Sequence, residues 1–184
     1  VDPGVVSASY VQTQMGIPSF GPFESVEILQ NKDKFRTFLS ENGFNVPWAF
    51  GFSSLEDALA DTDKFSYPLI VKPTDSAGSK GVTRVDKEED LKEALEYAFK
   101  HSIKGNIIVE EFIEKQGCSS DSDSFSVNGV LQFVSFSAQR FDENAAGTFV
   151  PAAYSWPSTM NMQQEYELRS ELQRLLTLLQ MKTA

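Results

Sequence analysis

One stretch restricts what this chain can fold into more than any other: Tyr67-Pro-Leu-Ile-Val-Lys-Pro-Thr-Asp-Ser-Ala-Gly-Ser-Lys-Gly-Val-Thr-Arg-Val85. Leu69, Ile70 and Val71 form a short apolar run bounded by turn residues, the pattern of a strand covered on both faces. Lys72 ends the run and Pro73 stops it, so a cation sits at the strand's mouth. The following Ser76-Ala77-Gly78-Ser79-Lys80-Gly81 carries almost no side-chain bulk, so its backbone N–H groups could close around an anion. Val82 to Val85 then reads as a second strand. At this point two readings stay open: a polyphosphate grip, or a surface hairpin with a flexible tip.

The flanking chain narrows the choice. Ser7 to Met15 reads as a short helix stopped by Gly16, Ile17 to Pro22 as a turn-rich link, and Phe23 to Gln30 as a second helix. Lys32 to Asn42 is a helix with Phe35, Phe38 and Leu39 on one face and Gly43 as its stop. Asp33 suits the positive first turn of that helix; Lys34 does not, which admits either a ligand contact or an ordinary solvated lysine. Val46 to Phe52 reads as a strand. Ser53 and Glu56 form an expected capping box, opening a helix to about Ala60. Asp86 is the expected cap of a helix from Lys87 to His101, with Leu91, Ala94, Leu95, Ala98 and Phe99 in one stripe. His101, at its polar end, reads as a solvated cation. Asn106 to Ile113 is a buried strand meeting Glu110 and Glu111. Glu114 to Asp123 reads as a polar loop, and Ser124 to Gln139 as a hairpin turning at Asn128-Gly129. Phe141 to Thr148 reads as a loop and Pro151 to Pro157 as extended. Gln164 to Met181 is an amphipathic helix whose Leu168, Leu172, Leu175, Leu176 and Leu179 form an expected core stripe. The order is α+β, with a small lid-like lobe over Val46 to Phe112.

Composition removes several alternatives. A formal charge of −10 argues against a general binder of nucleic acid or anionic membranes. Any anion site must therefore be a local basic pocket. One cysteine, Cys118, and one histidine, His101, leave no intrachain disulfide and little material for a zinc site or a Cys-His dyad. A chain without disulfides suits a reducing cytoplasm, the expected location. No run approaches the roughly 18 apolar residues of a membrane span. The chain opens at Val1 and ends at Ala184 soon after a periodic helix, which reads as an excerpt of a longer protein.

Lys34, Lys72 with its small loop, and Glu110-Glu111 together supply what a nucleotide needs: cations and N–H groups for phosphates, and a strand-end backbone with carboxylates for base and ribose. The common alternatives are absent. The chain contains no G-x-x-x-x-G-K-[ST], no G-x-G-x-x-G after a strand and no G-x-S-x-G.

Asn31-Lys-Asp-Lys-Phe-Arg-Thr-Phe-Leu39, Asn42-Gly-Phe-Asn-Val-Pro47, Tyr67 to Pro73, the small loop and Ile108-Val-Glu-Glu-Phe-Ile113, in that order, resemble the ATP-grasp superfamily over roughly Gly16 to Gly129. That superfamily includes biotin carboxylase, carbamoyl-phosphate synthase, D-alanine–D-alanine ligase and purine-pathway ligases. The resemblance implies an ATP-grasp fragment with a small α/β lid lobe packed against a larger sheet-and-helix lobe. Residues 1–20 would be the end of a pre-grasp region, 21–45 a helical linker, 46–112 the lid, and 113–184 an incomplete C-terminal subdomain. It implies that Lys34 and Lys72 contact phosphates and that Ser76, Ala77, Gly78, Ser79, Lys80 and Gly81 close over them. Glu110 would accept from the adenine amino group, and Glu111, Phe112 and Ile113 would line the base.

The family's ribose-binding Glu has Ser119 near its place, with Asp121 or Glu114 as substitutes. Its magnesium ligands would lie beyond Ala184, with none in this chain; Asp121 and Asp123 read as solvated loop acids. Arg140 reads either as a contact for the acceptor carboxylate or as a surface cation. The implied activity is the ATP-binding portion of a carboxylate–amine ligase, or of a carbamoyl-phosphate-synthase-like one, acting through an acylphosphate. On that reading the parent is an enzyme and this stretch alone inactive. A non-catalytic nucleotide-binding module and a biotin-carboxylase-like carboxylase are the alternatives. The implied partners are ATP, magnesium and an unidentified carboxylate, with no nucleic acid or membrane and with a homo-oligomer left open.

Overall fold

The computed structural model describes residues 2–142, 144–145 and 149–183. Its elements run α1 (Asp2–Met15), α2 (Phe23–Gln30), α3 (Lys32–Glu41), β1 (Ala49–Phe52), α4 (Leu55–Ala60), β2 (Leu69–Pro73), β3 (Thr83–Val85), α5 (Leu91–His101), β4 (Ile107–Glu111), β5 (Ser120–Val127), β6 (Val130–Phe141), β7 (Pro151–Ser155) and α6 (Met162–Leu178). This is the expected α+β pattern. Part of the loop expected over Phe141 to Thr148, residues 143 and 146–148, lies outside the described residues. The chain divides into two units: Ile28–Glu114, and Val1–Glu27 together with Lys115–Ala184.

The Ile28–Glu114 unit is built on a four-stranded antiparallel sheet in the order β1-β4-β2-β3. Strand side chains alternate between faces, so Phe52, Leu69, Val71, Ile107 and Val109 share one face. There they meet Leu91, Ala94, Leu95 and Ala98 of α5 and Ala58 of α4 in a single buried cluster. Full burial of each large side chain stabilises by about 1.5–3 kcal/mol, which makes this cluster the unit's main source of stability. Trp48 stacks on Phe65 at 6.2 Å and extends it. The opposite face is left to Ile70, Lys72, Ile108 and Glu110. Helix α3 approaches β1 closely at Gly51, where an added Cβ would lie 3.2 Å from Asp33 Cβ.

Two helix caps differ from expectation. The cap of α4 is Ser54, not Ser53, and its hydroxyl accepts from Asp57 N. Asp86 does not cap α5; it is held by Arg84, and a 3₁₀ turn over Glu88–Asp90 precedes Leu91. The guanidinium takes the carboxylate that was to serve the helix, and the acidic run forms a tighter turn of its own.

The other unit carries a three-stranded antiparallel sheet, β5-β6-β7. Asn128 and Gly129 both have positive φ, 52° and 79°, as the tight turn between β5 and β6 requires. The segment after α6 secures this hairpin: Gly129 N donates to Lys182 O at 2.8 Å, and Ser126 Oγ to the same oxygen at 3.0 Å. Lys182 N in turn donates to Phe20 O at 2.7 Å, which ties the N-terminal link to the same unit. Asp121 and Asp123 lie on β5 opposite Ser137 and Ser135, not in a loop. Their polar sequence shows no apolar alternation because β5 is held by its ladder to β6, whose Phe136 and Ala138 supply the buried side chains. Helix α6 starts at Met162 under a capping box of Asn161 and Gln164. Its leucine stripe is less of a core than its periodicity suggested. No residue within α6 is fully buried, and Leu179, just past its end, is 2% exposed. The helix lies along β6 with polar contacts as well, Gln173 bonding Leu131 N and Gly129 O.

Candidate functional site

The pleat of two strands assembles the site. In the β2–β4 register Ile70 faces Glu110 and Lys72 faces Ile108. Lys72 and Glu110 are thus diagonal neighbours on the face turned away from the apolar cluster, within reach of long side chains. Lys72 Nζ is hydrogen-bonded to Glu110 Oε1, and Arg36 Nε donates to Glu110 Oε2 at 2.9 Å. Glu110 is 4% exposed. Burial pushes its carboxyl up, but the charge and hydrogen bonds of Lys72 and Arg36 outweigh that and hold it below the ordinary carboxylate value.

Arg36 comes from α3, and Lys32, one turn earlier, lies on the same side of that helix. Lys32 Nζ donates to Ser76 O at 3.0 Å and Thr74 O at 3.3 Å, so it grips the start of the small-residue loop. Burial and the neighbouring Lys72 charge lower the pKa of Lys32, while Asp75 and Glu110 oppose the shift. Three cations therefore gather around one buried carboxylate in a chain of net charge −10.

The loop is anchored at both ends. Asp75 accepts from Ser102 Oγ, Ile103 N and Lys104 N at 3.0, 3.1 and 2.7 Å. Ser76 Oγ donates across the loop to Lys80 O at 2.8 Å. Gly81 closes it with φ +76°, where a Cβ would come within 2.7 Å of Pro73 Cγ and 2.8 Å of His101 Cβ. Between the anchors, Gly78 and Ser79 have φ of 68° and 57°, and Ala77, Gly78 and Lys80 are exposed.

The remaining expected residues take these places. Lys34, rotated about 200° from Lys32 around α3, lines a separate cleft of ≈ 270 Å³ with Ile28, Thr37 and Phe38. A larger cleft of ≈ 330 Å³ lies between α3 and β1, lined by Arg36, Thr37, Trp48, Ala49 and Ile108 among others. Glu111 N donates to Trp48 O and Phe112 N to Pro68 O, so these two amides are committed within the unit. The next amide along is that of Ile113, a residue 63% exposed. Phe112 lies under the Arg84 guanidinium at 4.2 Å. In the other unit, Asp121 is half-buried on β5. Arg140 donates to Cys118 Sγ at 2.8 Å and to Ser155 Oγ at 3.1–3.2 Å. Among the described residues no three His, Cys, Asp or Glu side chains come together as a metal site, and no helix is long and apolar enough to cross a membrane.

Sequence reasoning missed Lys32, Arg36 and Asp75. The i, i+4 spacing of Lys32 and Arg36 was available as a signal. Asp75 had none, because its three donors come from a turn some thirty residues away.

Residues 39–171 match the family described as D-ala D-ala ligase C-terminus, more than half of the chain. The chain belongs to this family. Its fold is that of the ATP-grasp ligases. An L-amino acid ligase from Bacillus licheniformis superposes with a TM-score of 0.75 at 27% identity, covering 97% of this chain and 40% of that one. The VanG D-Ala:D-Ser ligase from Enterococcus faecalis gives 0.81 at 20% identity, covering 98% and 54%; at that identity the likeness concerns the fold. The carbamoyl phosphate synthase large chain of Clostridium beijerinckii is 24% identical over 113 residues, 59% of this chain and 11% of that protein. The D-ala D-ala ligase C-terminus member described here thus spans about a tenth of that synthase and roughly half of the two ligases.

Proposed function

We propose that this chain is the ATP-binding portion of an ATP-dependent carboxylate–amine ligase, with the triphosphate held at Lys72, Lys32 and the Ser76–Gly81 loop. The observation that carries this reading is the pair of lysines at the base of a small-residue loop with positive φ. Lys72 and Lys32 raise each other's electrostatic energy, and an anion between them relieves it. Loop amides and lysines are the donors that phosphate oxygens accept best. The family and its ligase relatives support the same chemistry.

On this reading the parent enzyme transfers the γ-phosphoryl group of ATP to a carboxylate, and an amine then displaces phosphate from the acylphosphate. The residues of this chain position the phosphates and neutralise their charge. By resemblance Glu110 would serve the adenine amino group and the Glu111–Ile113 segment the base, while in the other unit Asp121 would serve a ribose and Arg140 an acceptor carboxylate. Lys34, to which the resemblance gives the family's first phosphate-lysine role, lines a different cleft from the loop. With the Glu111 and Phe112 amides committed, the Ile113 amide is the main-chain donor left for the base. Magnesium would be supplied with ATP and held by residues outside this chain, and a cytoplasmic setting suits an ATP-consuming ligase.

Thermal unfolding tests the reading. ATP at a hundredfold excess over its Kd should stabilise by about 2.7 kcal/mol, and Lys72→Ala should abolish the shift. An unshifted melting temperature for the unaltered chain, with ATP or ADP and with or without magnesium, refutes it.

A further inference from the structure

Glu110 presents a difficulty for any phosphate at Lys72. Its carboxylate is almost fully buried, and one of its oxygens is bonded to Lys72 Nζ. For Lys72 to serve an anion it must loosen its hold on Glu110. A buried carboxylate deprived of its only cation strongly resists that loss. Arg36 is placed to remove the difficulty. Its Nε holds the second oxygen, Oε2, at 2.9 Å, independently of Lys72. Lys32 is not bonded to Glu110: its ammonium donates to Thr74 O and Ser76 O, which leaves its third N–H for an anion.

We propose that Arg36 is a positioning residue that keeps Glu110 charge-paired and thereby frees Lys72 to bind a phosphate oxyanion. In the structure as it stands, Lys72 and Arg36 share the carboxylate. When an anion arrives, Lys72 exchanges Glu110 Oε1 for a phosphate oxygen, and Arg36 retains Oε2. The exchange conserves charge pairing throughout: one carboxylate with two cations becomes one carboxylate and one anion, each with its own. It also opens Oε1 to a different donor at the moment a nucleotide is present. The inference rests on the phosphate-grip reading of this site. It adds a residue that acts on the anion only through Glu110.

Because the role is indirect, a thermodynamic cycle separates it from a direct contact or a purely structural one. The probe is inorganic tripolyphosphate, which lacks a base and so bypasses any contact between Glu110 and adenine. Its binding is measured by calorimetric titration of the whole chain. Arg36→Met should weaken it by about tenfold or more, whereas Arg36→Lys, which keeps the charge, should stay within about threefold of the unaltered chain. Glu110→Gln should bind at least as tightly as the unaltered chain, because Lys72 is then released. In the Glu110→Gln background, Arg36→Met should change affinity by less than about twofold.

Equal losses from Arg36→Met in both backgrounds would mean that Arg36 touches the anion directly, and would overturn the proposal. No loss from Arg36→Met, or an equal loss from Arg36→Lys, overturns it as well. If Arg36→Met does not fold, the Glu110→Gln comparison decides alone, since weaker binding there contradicts a carboxylate that competes for Lys72. Failure of the unaltered chain to bind either tripolyphosphate or ATP removes the phosphate-grip reading and this inference together. Binding with an indifferent Arg36→Met removes the inference only.

Discussion

Gly81 and Gly78 offer a controlled comparison of why the small-residue loop has the composition it does. Both have positive φ, +76° and +68°, so alanine at either pays the left-handed backbone cost of about 1–2 kcal/mol. They differ in space. Nothing lies within 4 Å of a Cβ at Gly78, whereas one at Gly81 meets Pro73 Cγ at 2.7 Å, His101 Cβ at 2.8 Å and Pro73 Cδ at 3.0 Å. Neither neighbour can turn aside easily: Pro73 is a ring within β2, and the His101 atom is the Cβ next to the α5 backbone. Forcing such a contact adds about 1–3 kcal/mol. Gly81→Ala is therefore expected to destabilise by about 2–5 kcal/mol, against about 1–2 kcal/mol for Gly78→Ala. The chain has two tryptophans, Trp48 and Trp156. In a Trp156→Phe background Trp48 fluorescence follows the Ile28–Glu114 unit, and urea midpoints at unchanged slope report the difference. Equal midpoints for the two variants would refute the argument that Gly81 is required for close approach and not for backbone freedom alone.

The remaining predictions concern the charges around the loop. Folding holds the Glu110 carboxyl below its ordinary value, so its contribution is complete above the unfolded carboxyl's pKa and fades as pH falls through the folded value. Glu110→Gln should accordingly flatten the acid limb of the stability–pH profile below about pH 4.5, and should cost about 1–3 kcal/mol near neutrality by leaving Arg36 and Lys72 without their partner. An unchanged acid limb would contradict the ion-pair assignment. Asp75→Ala removes an acceptor of three donors and should cost about 1–3 kcal/mol. It should also increase proteolytic cleavage between Ser76 and Gly81; resistance equal to that of the unaltered chain would show that the loop is anchored elsewhere.

Much of the fold was legible because strong periodicity leaves few choices. The α5 stripe Leu91, Ala94, Leu95, Ala98 and the Leu69–Val71 run can be satisfied only by a helix packed on a buried strand, and they meet in one cluster. The Asn128-Gly129 turn was equally local, since positive φ at two successive residues selects those residue types. Where expectation missed, a partner outside the element's own pattern had intervened, near in sequence in one case and across a hairpin in the other. Arg84 took Asp86 away from α5, and the β6 ladder made a strand of the polar Ser120–Asp123 segment.

The candidate site divides along the same line. Lys72, the small loop and Glu110 stand out in the chain itself, because a lysine closing an apolar strand and a run of small residues are local facts. Their pairing is a matter of register. A shift of one residue between β2 and β4 would turn Glu110 into the apolar cluster and leave Lys72 facing solvent alone. Which α3 cation joins them is likewise set by how the helix is seated on Gly51, and that orientation selected Lys32 and Arg36 where the linear pattern had pointed to Lys34. Residue type and periodicity determined that this chain carries a lysine at the end of a buried strand, followed by a small-residue loop. Only the tertiary structure decided which charges share the buried carboxylate, because electrostatic partnership depends on distances of a few ångströms that strand register and helix rotation establish.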